Sequence, residues 1–240
     1  MDQAGAQGRR IAFFGGSFDP PHLGHLAVAR AAREALALDT VLFAPVGAQP
    51  LKPLGSCAGF EDRLAMTRLA IAGVHGFAVS LADAPKPDGR PNYTLETLVA
   101  LRDELPTGSR LFCLMGADSF VGLRSWHRST EIPFAAPLIV ASRPGQQLDD
   151  LRAALPAGLW LEGASPGAVP CSSGVEVRCW QLRNQAGDAA PFYLLPGVNV
   201  EISASEIREQ VGAARSSLAL GHELLPDSVT AYIRSQGLYQ

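Results

Sequence analysis

The chain alternates short apolar runs with longer stretches of helical period. The runs are IAFFGG (11–16), VLFAPVG (41–47), FAVSLAD (77–83), RLFCLMG (110–116) and APLIVASRP (136–144). Each has strand length and is apolar at successive positions, as in a strand covered on both faces. Between them, residues 23–36, 61–72 and 95–105 repeat apolar side chains three and four apart, which marks one face of a helix. This alternation predicts an α/β fold, a Rossmann-like doubly wound parallel sheet with helices on both sides.

From 144 to 191 the pattern weakens. The stretch LEGASPGAVPCSSGVEVRCW carries glycine, proline and serine where a helix would want none, so an irregular insertion is expected there, with room for a short hairpin. Order returns in PFYLLPGVNVEISASEIREQVGAA, and Val229, Tyr232 and Ile233 predict a closing helix in LPDSVTAYIRSQGLY. The expected layout is a flexible stretch over 1–9 followed by a single domain from 10 to 240, ending in a small helical part from about 203.

Composition narrows the function classes. With 240 residues, 47% of them hydrophobic and 18% charged, the chain suits one domain with a substantial core. A net charge of -3 and the lack of any lysine- or arginine-rich run argue against coating nucleic acid, so a bound anion must meet local positive groups. Cys57, Cys113, Cys171 and Cys179 form no C-x-x-C pair, which argues against a disulfide framework or zinc site, and Cys113 in RLFCLM reads as a buried thiol. No run reaches the roughly 18 apolar residues of a membrane helix, and the first ten residues hold no signal-like segment. A cytoplasmic protein with no membrane partner is expected; a homo-oligomer is left open.

The candidate chemistry lies in IAFFGGSFDPPHLGHL. In an open parallel sheet, ligands bind at the carboxyl ends of the strands, where the first strand delivers Gly15 and Gly16. Asp19, Pro20 and Pro21 cannot continue a strand, so a helix should start near His22–Gly24 with its amides toward the crevice. His22 and His25 stand one helical turn apart, and two imidazoles beside a helix N-terminus suit a polyphosphate. By spacing alone the pair could also be two surface histidines or metal ligands. Only Asp19 is close enough in sequence to help hold a metal, however, and His75, His127 and His222 stand in other contexts. A second anion site is readable in ISASEIR, where Ser203 and Glu206 form a capping box and Ser205 and Arg208 fall on the first helical turn.

The stretch GGSFDPPHLGHL resembles the H/T-x-G-H signature of the nucleotidyltransferase superfamily, and in its fuller form that of the bacterial nicotinate mononucleotide adenylyltransferases, with Ser17 for the usual threonine. ISASEIR resembles the family's I-S-S-T-x-I-R, which implies phosphate binding by Ser205 and Arg208, with Ser203 as cap and Ala204 lacking one hydroxyl. NYTLETL resembles S-Y-T-x-x-T-L, with Asn92 for serine, and implies acceptor contacts at Tyr93, Thr94 and Leu95, largely through backbone amides. In LMGADSFVGLRSWH, the resemblance places Gly116 and Asp118 near the nucleotide ribose and Trp126 against a pyridine ring. AQPLKP is similar to the family's P-x-H-K loop, keeping Pro50 and Lys52 but carrying Leu51, and FEDRLAMTRLAI matches through Arg63, Met66 and Leu69 as a structural helix.

The resemblance implies adenylyl transfer from ATP to nicotinate mononucleotide, giving nicotinate adenine dinucleotide and pyrophosphate. His22, His25, Lys52 and Arg208 would be catalytic. Gly15, Gly16, Ser17 and Phe18 would join the histidines, Gly116, Asp118, Ser205 and Arg208 around ATP, with Gly16, Ser17 and Lys52 also on the acceptor side. Mg²⁺ is expected to arrive with ATP, with no metal held mainly by the protein. A sister enzyme acting on nicotinamide mononucleotide or a phosphopantetheine-type acceptor is the nearest alternative. A non-catalytic nucleotide-binding module is disfavoured by the retained histidines and serine–arginine turn.

Overall fold

Strand β1 (Arg10–Gly16) runs into α1 (Leu23–Ala35), and β2 (Thr40–Pro45), α2 (Phe60–Ile71), β3 (Phe77–Val79), α3 (Thr94–Glu104) and β4 (Arg110–Gly116) follow in alternation. Short helices α4 (Ala117–Gly122) and α5 (Ile132–Ala135) precede β5 (Leu138–Ala141). Helix α6 (Leu148–Ala153) then leads to β6 (Leu159–Glu162), β7 (Arg178–Asn184) and β8 (Ala189–Leu195), and α7 (Ala204–Ala213) and α8 (Asp227–Gln236) complete the chain. The structure, a computed structural model, describes residues 8–51, 55–142, 148–163, 176–198, 202–213 and 224–240.

The strands form one sheet in the order β3-β2-β1-β4-β5-β8-β7-β6. Pairing is parallel from β3 through β8 and antiparallel for β7 and β6. The first five positions reverse direction of winding between β1 and β4, so the carboxyl ends of these two strands open a crevice there. Registers Gly16↔Pro45 and Phe14↔Leu114 bring Gly15, Gly16 and Gly116 to its floor.

Successive side chains on each strand serve opposite faces. Ala12 and Phe14 of β1, with Phe112 and Leu114 of β4, pack in a cluster with residues from α1, α2, α7 and α8. Ile11, Phe13, Leu111, Cys113 and Met115 join residues of α3, α4, α5 and α6 on the other face. Both faces are therefore dry, which explains why these strands read as unbroken apolar runs.

Two expectations change. The region 144–191, expected as an irregular insertion with room for a short hairpin, supplies α6, β6, β7 and the start of β8 among its described residues and widens the central sheet, while 144–147 and 164–175 lie outside the described residues. In RCWQLRN only Trp180 and Leu182 are buried, the alternation of an antiparallel strand with one covered face, which yields no apolar run. Strand β3 is also shorter than the run 77–83: Ser80 N–H still reaches Phe43 O at 2.9 Å, and Leu81 then turns out to solvent at 54% exposure.

Candidate active site

Between the end of β1 and α1 the chain makes a tight loop whose shape depends on aromatic packing. A Cβ at Gly15 would lie 2.7 Å from the Phe13 ring, so any side chain there would have to displace that buried ring. Phe18 holds φ at +48°, a left-handed conformation that costs a non-glycine residue about 1–2 kcal/mol. Burial of its ring, worth about 1.5–3 kcal/mol, offsets that strain. The ring sits edge-on to Phe14 at 5.5 Å and to His25 at 4.9 Å between centroids, and so supports the imidazole from within the core.

His22 is the N-cap of α1 and stacks on His25 at 3.6 Å between ring centroids. His22 N–H donates to His25 Nδ1 at 3.1 Å, which assigns the His25 proton to Nε2. Nδ1 of His22 is buried with no hydrogen-bond partner, a costly state that gathers at functional sites. Burial lowers the His22 pKa to about 4, and burial together with neighbouring His22 holds His25 well below the ordinary histidine range. Both rings are therefore neutral N–H donors at pH 7. Of the first-turn amides, Leu23 N–H is bound to Leu224 O at 2.9 Å and His25 N–H to His22 O at 3.0 Å. The positive pole of α1 is thus presented through the imidazoles more than through a row of free amides.

Two buried polar groups fix this loop against its neighbours. Arg63 of α2, 2% exposed, donates from Nη1 to Ser17 O at 2.7 Å, from Nη2 to Val46 O at 2.8 Å and from Nε to Ala58 O at 3.2 Å. Burial lowers its pKa while Asp19 and Tyr239 oppose the shift, so the guanidinium remains a cation. The Asp19 carboxylate accepts from Cys57 N–H at 2.7 Å, Ala58 N–H at 3.1 Å and Tyr239 O–H at 2.7 Å. Arg208 Nη1 donates to Asp19 O at 2.7 Å and Nη2 to Ser205 Oγ at 3.0 Å, so the first turn of α7 is tied to the histidine loop.

The crevice opens into a cavity of about 1000 Å³ that runs from His22, His25, Ser205 and Arg208 at one end to Tyr93, Thr94 and Trp126 at the other. Asn92, buried, accepts from Ala48 N–H and donates to Ala84 O, both at 3.0 Å, and so stitches the loop after β2 to the loop after β3. Gly47 lies between them, where a Cβ would approach Pro85 N to 2.4 Å. Asp83 accepts Thr97 O–H at 2.7 Å; its burial raises the carboxyl pKa, an effect opposed by that bond and by Lys86. Burial, with Asp83 nearby, pushes the Cys113 thiol up to about 12, so it is an inert core group.

A family model described as cytidylyltransferase-like matches residues 13–210. Curated relatives from Gloeobacter violaceus and Geobacter sulfurreducens, both named "Probable nicotinate-nucleotide adenylyltransferase", are each 36% identical to this chain. The first match covers 97% of both chains, the second 96% of this chain and 98% of the relative. The chain belongs to the nicotinate-nucleotide adenylyltransferase family. Two Plasmodium falciparum structures, nicotinic acid mononucleotide adenylyltransferase complexed with NaAD and with APC, superimpose with TM-scores of 0.68 and 0.66. Each covers 96% of this chain and 97% of its own, and at 15% and 14% identity they establish a shared fold.

Seen as a member of this family, the chain brings most of the expected residues to one cavity. Gly15, Gly16, Ser17, His22, His25, Gly116, Asp118, Ser205 and Arg208 line it together with Tyr93, Thr94 and Trp126. Phe18 is 1% exposed and contributes its backbone and the underside of His25 rather than a presented ring. The Leu95 side chain packs in the core at 5% exposure, which leaves its backbone for the acceptor contact that the motif implies. Lys52 lies outside the described residues. Three participants were given no site role by their local sequence. Arg63 reads as one charge on a helix, Asn92 as a substituted cap, and His127, which packs on Tyr93 at 4.4 Å between centroids, as an unrelated histidine. Its position beside Trp126 was the available clue for the last.

Proposed function

We propose that the chain transfers the adenylyl group of ATP to nicotinate mononucleotide, giving nicotinate adenine dinucleotide and pyrophosphate. The observation that carries this reading is the pairing, within one cavity, of a phosphate-binding end built from His22, His25, Ser205 and Arg208 with an aromatic end built from Tyr93, Trp126 and His127. An electron-poor pyridine ring stacks well on indole and phenol, whereas a pantetheine arm has no ring to place there.

The acceptor's phosphate is already an anionic nucleophile, so no strong protein base is needed. One of its oxygens forms a bond to the α-phosphorus of ATP while the bond from that phosphorus to the α,β-bridging oxygen breaks, and the electron pair leaves with pyrophosphate. Catalysis is then positioning and charge stabilisation. His25 Nε2–H donates to the α-phosphate, where negative charge gathers as five oxygens crowd the phosphorus; its tautomer is set by the His22 amide. His22 and Arg208 meet the β- and γ-phosphates, with Lys52 as a further cation for the departing pyrophosphate. The backbone of Gly15, Gly16 and Ser17 lets both substrates approach the strand end, while Gly116 and Asp118 face the ribose.

The donors at this end, imidazole, guanidinium and hydroxyl, suit phosphate oxygens rather than a cation, and the Asp19 carboxylate is already held by two amides and a phenol. Among the described residues no group of three or more His, Cys, Asp or Glu side chains comes together. Mg²⁺ would be brought by ATP, and the chemistry it would supply is neutralisation of charge on the leaving pyrophosphate. The single domain from 10 to 240 is the unit that acts.

Pyrophosphate release from ATP and Mg²⁺, measured with nicotinate mononucleotide, nicotinamide mononucleotide and phosphopantetheine at equal concentrations, tests the reading. A kcat/KM clearly highest for nicotinate mononucleotide is expected. Release with phosphopantetheine alone would overturn the assignment of the aromatic end, and ATP binding without any product would overturn catalysis.

A further inference from the structure

Tyr239 lies beyond α8, remote in sequence from every phosphate-binding motif, yet its side chain reaches the histidine loop. Helix α8 ends at Gly237 in the left-handed conformation, with Gly237 N–H on Arg234 O at 3.3 Å and Leu238 N–H on Ile233 O at 3.0 Å. This closure turns the chain back toward α7. Tyr239 then takes φ of +65°, a conformation strained for any residue but glycine, and one that persists only where its surroundings hold it.

Two contacts do so. The phenol donates to Asp19 Oδ1 at 2.7 Å, and the Tyr239 carbonyl packs on α7 at Gly212, where a Cβ would approach it to 3.1 Å. Gly212 lies one turn beyond Arg208, whose guanidinium holds the carbonyl of the same Asp19. Tyr239 thus touches Asp19 itself and the helix that carries Arg208. Burial, and then the bond to Asp19, raise the pKa of the phenol, so it remains a donor across the working pH range.

We propose that Tyr239 is a positioning residue for ATP: through Asp19 it sets the distance between the His22–His25 loop and the Arg208 turn of α7, the two halves that grip the triphosphate. The inference rests on the reading that the cavity takes ATP, and adds to it a residue that touches no substrate. A donor to a carboxylate at the centre of a network contributes more than its own bond, because Cys57, Ala58 and Arg208 are aligned by the same residue.

Tyr239→Phe removes the hydroxyl and keeps the ring. Calorimetric titration with ATP and Mg²⁺, without acceptor, is expected to show affinity weakened about 5- to 10-fold. KM for nicotinate mononucleotide should stay within about twofold, while Tm falls by about 3–12 °C for a lost charge-assisted hydrogen bond of this kind. In a cycle with Asp19→Asn, the second substitution should add less than about twofold to the first, since both break one network. Unchanged ATP affinity in Tyr239→Phe overturns the proposal. So does an equal weakening toward ATP and acceptor, because a merely structural tyrosine would give that pattern. If the wild-type chain binds ATP but turns over no nicotinate mononucleotide, the acceptor reading fails, while the ratio of ATP affinities still decides the role of Tyr239.

Discussion

Replacing Arg63 with methionine keeps most of the side-chain volume and removes a buried cation whose nitrogens serve the carbonyls of Ser17, Val46 and Ala58. A hydrogen bond from a charged donor contributes about 1.5–3 kcal/mol net, and each carbonyl left unpaired costs about 1–3 kcal/mol. Against this stands the relief of desolvating a guanidinium, several kcal/mol in a site this dry. The balance favours a loss of about 3–5 kcal/mol, the range found when one partner of a buried ionic group is removed. For a chain of 240 residues each kcal/mol moves Tm by about 2–4 °C, so a fall of roughly 6–20 °C is expected by calorimetry. Arg63→Lys should recover less than half of it, because one ammonium cannot reach carbonyls spread over three segments. Activity should fall with it, since Ser17 and Val46 flank the crevice. A methionine variant melting within about 2 °C of wild type would refute the reasoning.

His25→Ala should lower kcat by roughly 10²-fold or more with a smaller effect on acceptor KM, measured by pyrophosphate release, because it removes a donor aimed at charge that develops in the transition state. Trp126→Ala should raise KM for nicotinate mononucleotide about tenfold while ATP affinity changes by less than about twofold, since a stacking contact of about 1–1.5 kcal/mol is lost at one end of the cavity only. The pKa of His22 is lowered by burial from 6.5 to about 4, so the unfolded chain binds a proton in this window that the folded chain does not. Stability from this residue is therefore full above about pH 7 and declines as pH falls from 6.5 toward 4, by up to about 1.4 kcal/mol per pH unit. Urea midpoints at pH 7.5 and pH 5 should fall further for wild type than for His22→Asn; parallel pH dependence in the two proteins would contradict the burial argument.

The sequence alone determined the parallel core and the histidine loop. Strands β1 and β4 are dry on both faces, and their apolar runs match their limits within a residue. The loop over 15–25 is equally local: glycines, prolines and paired histidines act through neighbours in the chain, so their spacing carries their meaning. What depends on contacts between distant segments was settled only by the tertiary structure. Strands β6 and β7 pair at an edge with one covered face and leave a weak pattern. The rotation of α3 turns the Leu95 side chain into the core, so the acceptor contact its motif implies falls to the backbone. Arg63, His127 and Tyr239 join the site across 46, 34 and 220 positions of chain, measured respectively to Ser17, Tyr93 and Asp19. A buried cation, a stacked imidazole and a phenol on a carboxylate look in sequence like any arginine, histidine or tyrosine. Their roles come from the low-dielectric contacts that folding creates, and these are invisible until the partners are side by side.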